Sequence, residues 1–359
     1  MKPLTIAHRT IGPGHPVYVI AEIGVNHDGD VGRACQLVSL AAAAGADAVK
    51  FQFFEADRLM SRASKLAAYQ RASGESDPLA MLRRLELSLG ALARCIEAAR
   101  RVGVHAIVSI FSIEHVKPAV ELPWDALKTA SPDIVNRPLL EAMAATGKPL
   151  LMSTGAATMP EIERAMDWLA DAPGPRGLFQ CVSSYPTPWD EAEFAGIPAV
   201  ASLGLPTGYS DHTPAIEAGA EAVRWGACML EKHFTYDTTA RGPDHAASLT
   251  PEGLTDYIRR ARAQPPADVP GKALKRVLER EFDVRTVSRQ SLTSAGPLRA
   301  GARVERSDLT VKRPGTGLSP ALMDRVIGSV LKRDVDADTP LTPEDVELAV
   351  AVSSPEVAP

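Results

Sequence analysis

Between Val17 and Ala263 the sequence alternates strand-length apolar runs with Ala-rich helical stretches eight times, and few folds accommodate that alternation. The runs are Val17–Val25, Ala48–Phe53, His105–Phe111, Ala126–Ala130, Leu150–Thr154, Leu178–Ser183, Thr207–Asp211 and Ala227–Phe234. They read as continuously apolar, as parallel strands buried on both faces do. The stretches between them carry helical spacing of apolar residues, and Gly45, Gly103 and Gly226 stand where helices end. Eight strand–helix units over about 250 residues predict a (β/α)8 barrel, an α/β fold. An open doubly wound sheet fits less well, because no GxGxxG follows the first run.

The composition shifts at Gln264–Gly271 (QPPADVPG), which reads as a Pro-rich linker. Residues 1–265 are expected to form the barrel, 266–283 the linker and 284–351 a small second domain. Lys272–Glu281 reads as a charged helix within that linker. The last unit, about 65 residues, has a marginal core and is expected to dock on something. The net charge of −5 offers no basic tail for nucleic acid. No run approaches the roughly 20 apolar residues of a membrane span. Four scattered cysteines without a CxxC pair suit reduced core residues of a cytoplasmic protein.

Side chains alternate faces along a strand, so Lys50 shares a face with Gln52, Ser210 with His212, and Glu231 with His233. His212 and His233 end successive strands of one strand–helix–strand unit. Neighbouring strands lie about 4.8 Å apart, so the two imidazoles can share one divalent metal. Two ligands fill half a shell; water or substrate oxygens must supply the rest. Thr213 and Pro214 are expected to start the intervening helix, Pro214–Trp225. Lys50, Lys128, Ser109, Ser131, Ser153, Ser183 and Ser210 all fall near carboxyl strand ends, a set suited to a phosphate or carboxylate. The alternative is internal pairing of Lys50 and Lys128 with Glu22 and Asp133, since a buried charge needs a partner.

The segments AEIGVNHDGD, VKFQ, STGAATMPEIERA, CVSSYPTP, GYSDHT and LEKHFT…RGPDHAASLTP, in this order, resemble the sialic acid synthase family. VKRPGTGLSP resembles that family's antifreeze-like (SAF) domain. The resemblance implies condensation of phosphoenolpyruvate with an N-acylated six-carbon aldose to a nonulosonic acid and phosphate. It implies a divalent metal, Mn2+ before Mg2+ or Co2+, on His212 and His233, and a domain-swapped homodimer. Phosphoenolpyruvate contacts then fall on Lys50, Ser109, Lys128, Ser131, Ser153 and Ser210. Acidic groups fall on Glu22 and Asp244, and sugar-side groups on Gln52 and Tyr185. Arg313 corresponds to the arginine that reaches the sugar's N-acyl group in the other subunit.

Three positions depart from the family pattern. Asp133 stands where some members have Glu, Ser183 where some N-acetylmannosamine users have Asn, and Ser109-Ile110-Phe111 replaces a frequent Thr-Pro-Phe. They leave open whether the acceptor is N-acetylmannosamine or a diacetamido sugar. Glu22 and Asp133 are the expected proton-handling groups. Two other readings compete: a Schiff-base aldolase using Lys50 or Lys128 as nucleophile, and a non-catalytic sugar-binding protein built around the SAF-like unit.

Overall fold

A computed structural model of the protein describes residues 2–265 and 271–348. The start of the expected linker, 266–270, and the last residues of the expected small domain, 349–351, lie outside the described residues.

Eight parallel strands close into a barrel. They are β1 (Tyr18–Gly24), β2 (Ala48–Phe53), β3 (His105–Ile110) and β4 (Ala126–Thr129), then β5 (Leu150–Ser153), β6 (Arg176–Cys181), β7 (Thr207–Asp211) and β8 (Met229–His233). Each pairs with its neighbours in sequence, and β8 closes on β1 with His233 opposite Glu22. Helices form the outer layer and are capped locally. Asp30 accepts from the Gly32 and Arg33 amides at the start of Val31–Ala43. Gly103, at φ 77°, ends Leu89–Val102 in the left-handed conformation that a side chain would disfavour.

Outward strand residues such as Val19, Val49 and Val108 pack against helix residues such as Leu37, Val38 and Ile96. The inward residues divide by depth. At the amino end Ile20, Ala48, Ile107, Leu151, Phe179 and Met229 form an apolar layer, plugged by Leu4, Ile6 and Ile11 of an N-terminal hairpin. Two residues further along the same strands stand Glu22, Lys50, Ser109, Ser153, Cys181 and Glu231. The strand period of two therefore switches the barrel interior from apolar to charged at one level.

Some local expectations fail for tertiary reasons. Residues 271–280 are not helical. The Leu274 amide donates to the Ala195 carbonyl, and Arg276 Nε donates to Glu193 at 3.0 Å, so barrel contacts replace helical ones. The helix comes later, at Glu281–Ser288. The helix expected from Pro214 begins at Ala218, because the Thr213 amide donates to Asp211 and the Thr213 hydroxyl accepts from Ala215, which makes a turn. The insertion after β2 carries two short helices, Ala56–Leu59 and Ala68–Ala72.

The C-terminal unit pairs Ser291–Ser294 with Leu309–Lys312 around a small core that includes Leu292, Val311, Val326 and Leu341. Among the described residues, no helix is long and apolar enough to cross a membrane.

Candidate active site

The carboxyl ends of the strands open into a cavity of about 950 Å3, counting its open mouth. Its floor is ionic. Lys50 Nζ lies 2.8 Å from Glu22 and 3.7 Å from Glu231, and donates to Ser109 Oγ at 3.0 Å. Lys128 Nζ donates to Ser153 Oγ at 2.5 Å and stands 3.4 Å from Glu231. Glu231 also accepts from Ser210 Oγ at 3.0 Å, and Gln52 donates to Glu22 at 2.8 Å. Lys50 thus takes the internal partner expected, Glu22, whereas Lys128 pairs with Glu231 and not with Asp133.

Electrostatics follow from burial and pairing. Burial opposes the charge of Lys50, but Glu22 and Glu231 outweigh it and hold the ammonium above lysine's usual range. Burial draws Lys128 below that range against the pull of Glu231. Burial also opposes ionisation of Glu231, but Lys128 and Lys50 hold its carboxyl below the usual range. Glu231 was absent from the residues expected in the site. Its signal was a charge inside a buried strand on the face of His233.

The wall carries Ser131, Ser183, Tyr185, His212, His233 and Asp244. The imidazoles of His212 and His233 have ring centroids 5.5 Å apart, and Tyr185 packs 4.0 Å from the His212 ring. The Val182 carbonyl lies 2.6 Å from His212 Nδ1, so this nitrogen carries a proton; burial opposes the imidazolium, but Cys181, the Val182 carbonyl and Asp211 outweigh it and hold His212 above the usual histidine range. Burial, aided by the positive charges nearby, holds His233 well below the usual histidine range, so its ring is neutral. Its Nδ1 is buried without a hydrogen-bond partner among the described residues and stands 3.4 Å from Asp244. Two imidazoles, one with an orphaned ring nitrogen, and an adjacent carboxylate offer donors that suit a divalent cation. No group of three or more His, Cys, Asp or Glu forms a fuller cage among the described residues. Burial, reinforced by Glu22, pushes the Asp244 carboxyl up to about 7.

Asp133 departs from its expected place. It is buried in the turn Ser131–Val135, and the cavity is lined by its neighbour Pro132 and not by Asp133 itself. Burial pushes its carboxyl up to about 7, with the Arg313 charge opposing. Its link to the site runs through Arg313.

Arg313 lies over the mouth, its guanidinium carbon 5.9 Å from the Phe111 ring centre. The insertion after β2 grips its backbone. The Arg313 amide donates to the Leu59 carbonyl, and the hydroxyls of Ser61 and Ser64 donate to the Arg313 carbonyl at 2.7 and 2.8 Å. Arg313 Nε has no hydrogen-bond partner among the described residues. The resemblance put this arginine in a partner's barrel; within the single chain it stands over its own. Near it the lining turns apolar, with Val25, Leu59, Met81, Leu82, Leu85 and Phe111. Tyr69, which packs 4.9 Å from Tyr185, also lines the cavity and was not expected there.

Comparison with known proteins places this geometry. The NeuB family matches residues 37–268 and the SAF domain residues 289–347. An N,N'-diacetyllegionaminic acid synthase of Legionella pneumophila is 35% identical over 344 residues, covering 94% of this chain and 96% of that protein. A spore coat polysaccharide biosynthesis protein of Bacillus subtilis superposes with a TM-score of 0.83 at 28% identity, covering 97% of this chain and 100% of that one. An N-acetylneuraminic acid synthetase of Leptospira borgpetersenii gives 0.66 at 30% identity, over 79% of this chain and 94% of its own.

Proposed function

The chain belongs to the NeuB family and carries a SAF domain, and from that premise we propose that it condenses phosphoenolpyruvate with an open-chain N-acylated amino sugar. The products are a nine-carbon nonulosonic acid and phosphate. The observation that carries the reading is the floor: two buried lysines, each touching a serine hydroxyl and sharing Glu231.

In this reading the carboxylate and phosphate of phosphoenolpyruvate take over the contacts that Lys50 and Lys128 now make with Glu231, with Ser109, Ser153 and Ser210 completing them. Phosphoenolpyruvate C3 attacks the aldehyde carbon, and C2 takes the positive charge. Water adds to C2, and the tetrahedral carbon expels phosphate with its bridging oxygen. The aldehyde oxygen gains a proton and the added water loses one. Asp244, poised to exchange a proton near neutrality, serves the sugar oxygen beside His233. Glu22, held between Lys50 and Gln52, serves the water. A divalent metal on His212 and His233, Mn2+ before Mg2+ or Co2+, would supply Lewis-acid polarisation of the aldehyde.

For the acceptor, the reading favours a diacetamido-trideoxyhexose over N-acetylmannosamine. Over the ends of β1–β3 the lining is largely apolar, with Val25, Phe54, Leu59, Met81, Leu82, Leu85 and Phe111, and suits a deoxygenated sugar carbon. Ser183 and the identity to a legionaminic acid synthase support the same side. An apolar wall discriminates against an added hydroxyl by about 100-fold at most. Phosphate release from phosphoenolpyruvate with each sugar tests this; equal or better turnover of N-acetylmannosamine overturns it.

The reading also takes the protein as a homodimer that exchanges its SAF domains. Exchange alters connectivity and leaves the interface unchanged, so each contact of Arg313 described above is kept with a partner's barrel. Cytoplasmic action is supported by four free cysteines.

A further inference from the structure

The helix Glu281–Ser288 leads into the SAF domain and has no role in the mechanism above. Glu281 is fully buried, and its carboxylate accepts from three backbone amides; its charge also opposes the burial that draws nearby Lys275 below lysine's usual range. Oε1 accepts from the amides of Ala156 and Ser183, at 2.7 Å each, and Oε2 accepts from the Leu278 amide at 2.9 Å. The first two amides belong to the turns that follow β5 and β6. The same helix holds the other side of the β5 turn. Arg285 and Arg289 donate to the Ala156 carbonyl at 2.8 and 3.2 Å, and both also pair with Glu161.

That turn is tightly constrained. Ala156 sits at φ 52°, a conformation an alanine keeps only when its surroundings impose it. A methyl group on Gly155 would lie 2.3 Å from Ser183 Oγ and 2.8 Å from Ser131 Oγ. The Gly155 amide already donates to Ser131 Oγ at 3.0 Å. A shift of this turn therefore displaces Ser131 and Ser183 directly, and Ser153 next to it, the partner of Lys128.

We propose that Glu281 is a positioning residue: by fixing the turns after β5 and β6 it sets the serine wall beside Lys128, so phosphoenolpyruvate binds tightly only when the linker helix is docked. The inference rests on the phosphoenolpyruvate reading above. Charge-assisted hydrogen bonds in a buried setting are strong enough for this role.

The test uses the full-length protein as wild type, E281A, E281Q, E281D and R285A. Phosphoenolpyruvate affinity is read by calorimetry without acceptor, and the KM of each substrate by phosphate release. E281A should weaken phosphoenolpyruvate binding about 10–100-fold and leave the acceptor KM within about threefold, as loss of a charged hydrogen-bond acceptor at one subsite predicts. In E281Q the amide oxygen still accepts from both N–H groups, so affinity should return to within about fivefold of wild type. R285A removes one donor to the Ala156 carbonyl, but Arg289 still holds that carbonyl and Glu161, so the helix stays docked and affinity should stay within about threefold. Unchanged phosphoenolpyruvate affinity in folded E281A, or an R285A loss equal to that of E281A, overturns the proposal. If E281A fails to fold, E281D decides, because its carboxylate is drawn back by one methylene. It must lose at least about fivefold, and unchanged affinity overturns the proposal. A wild type that binds no phosphoenolpyruvate sinks the functional reading and this inference together; a wild type that binds it with E281A unaffected sinks this inference alone.

Discussion

On the floor of the cavity each buried lysine faces a buried carboxylate, Lys50 at 2.8 Å from Glu22 and Lys128 at 3.4 Å from Glu231. In the roof the arrangement is looser: among the described residues, Arg313 Nε and one carboxyl oxygen of Asp133 have no hydrogen-bond partner. The floor groups stand on barrel strands, whose pairing leaves them little freedom. The roof groups stand on turns and on a domain joined to the barrel by scattered backbone and side-chain bonds, such as Asn136 to Gln290 and Gln290 to the Phe111 carbonyl. A charge-matched floor suits a ligand common to many enzymes, whose anionic groups exchange with Glu231. An under-partnered roof leaves Arg313 to be completed by an acceptor that differs from one enzyme to another.

The largest effect should come from breaking the floor. Lys128→Ala leaves Glu231 short of a cation in a buried site, where such a loss costs on the order of 3–5 kcal/mol. Phosphate release should fall at least about 1,000-fold, because the anion's electrostatic partner is gone. Adding Glu231→Gln should restore most of the stability in urea unfolding and none of the activity. Recovery of both would mean that Lys128 serves structure alone.

Removing the metal should be nearly as severe. Chelation, His212→Ala or His233→Ala should each abolish turnover, and Mn2+ should restore the chelated enzyme but neither variant. Full activity in chelator sinks the metal assignment. Borohydride with pyruvate should trap no adduct, which separates this reading from a Schiff-base aldolase.

Breaking the roof should be gentler and selective. Arg313→Ala should raise the acceptor KM about 10–100-fold and leave the KM of phosphoenolpyruvate within about threefold, because a guanidinium contact made to one substrate is lost. At an acceptor concentration far below the raised KM, where Arg313→Ala is nearly silent, mixing Lys50→Ala with Arg313→Ala chains should restore activity, since an exchanged dimer contains one intact barrel under one intact arginine. If native mass spectrometry confirms that heterodimers form and the mixture stays inactive, Arg313 serves its own barrel.

The smallest effect concerns Asp133. Its folded carboxyl is raised from 3.8 to about 7 by burial, so the folded state holds the proton more tightly than the unfolded chain. The resulting stability is present below pH 3.8 and is lost as pH rises through about 7. The wild-type melting temperature should therefore decline between pH 5 and 8 more than that of Asp133→Asn. Parallel profiles would contradict the protonated carboxyl.

The floor was largely legible in the sequence because strand period and charge coincide there. Lys50 and Lys128 are charges inside apolar runs, and β2 and β7 fall on their expected ranges. Glu231 carries the same signal on the face of His233, but nothing in its strand tells that both lysines converge on it. The roof was less legible because long-range contacts decide it. Nothing local tells that Ser61 and Ser64 hold Arg313 from some 250 positions away. Nor does sequence tell that Glu281 seeks the amides of Ala156 and Ser183. Asp133 looked like a strand-end acid, but the turn Ser131–Val135 puts it behind Pro132. The helix expected over Lys272–Glu281 had suitable composition, and contacts with Glu193 and Ala195 overrode it.

The central claim is that the two lysines hold phosphoenolpyruvate while its C3 attacks an aldehyde and its C2 loses phosphate. The direct measurement supplies phosphoenolpyruvate carrying heavy oxygen at the bridging position, together with the diacetamido sugar, and follows the label by mass spectrometry. The account predicts a nonulosonic acid free of label and phosphate that carries it. Label retained in the nonulosonic acid would mean P–O cleavage and would contradict the account.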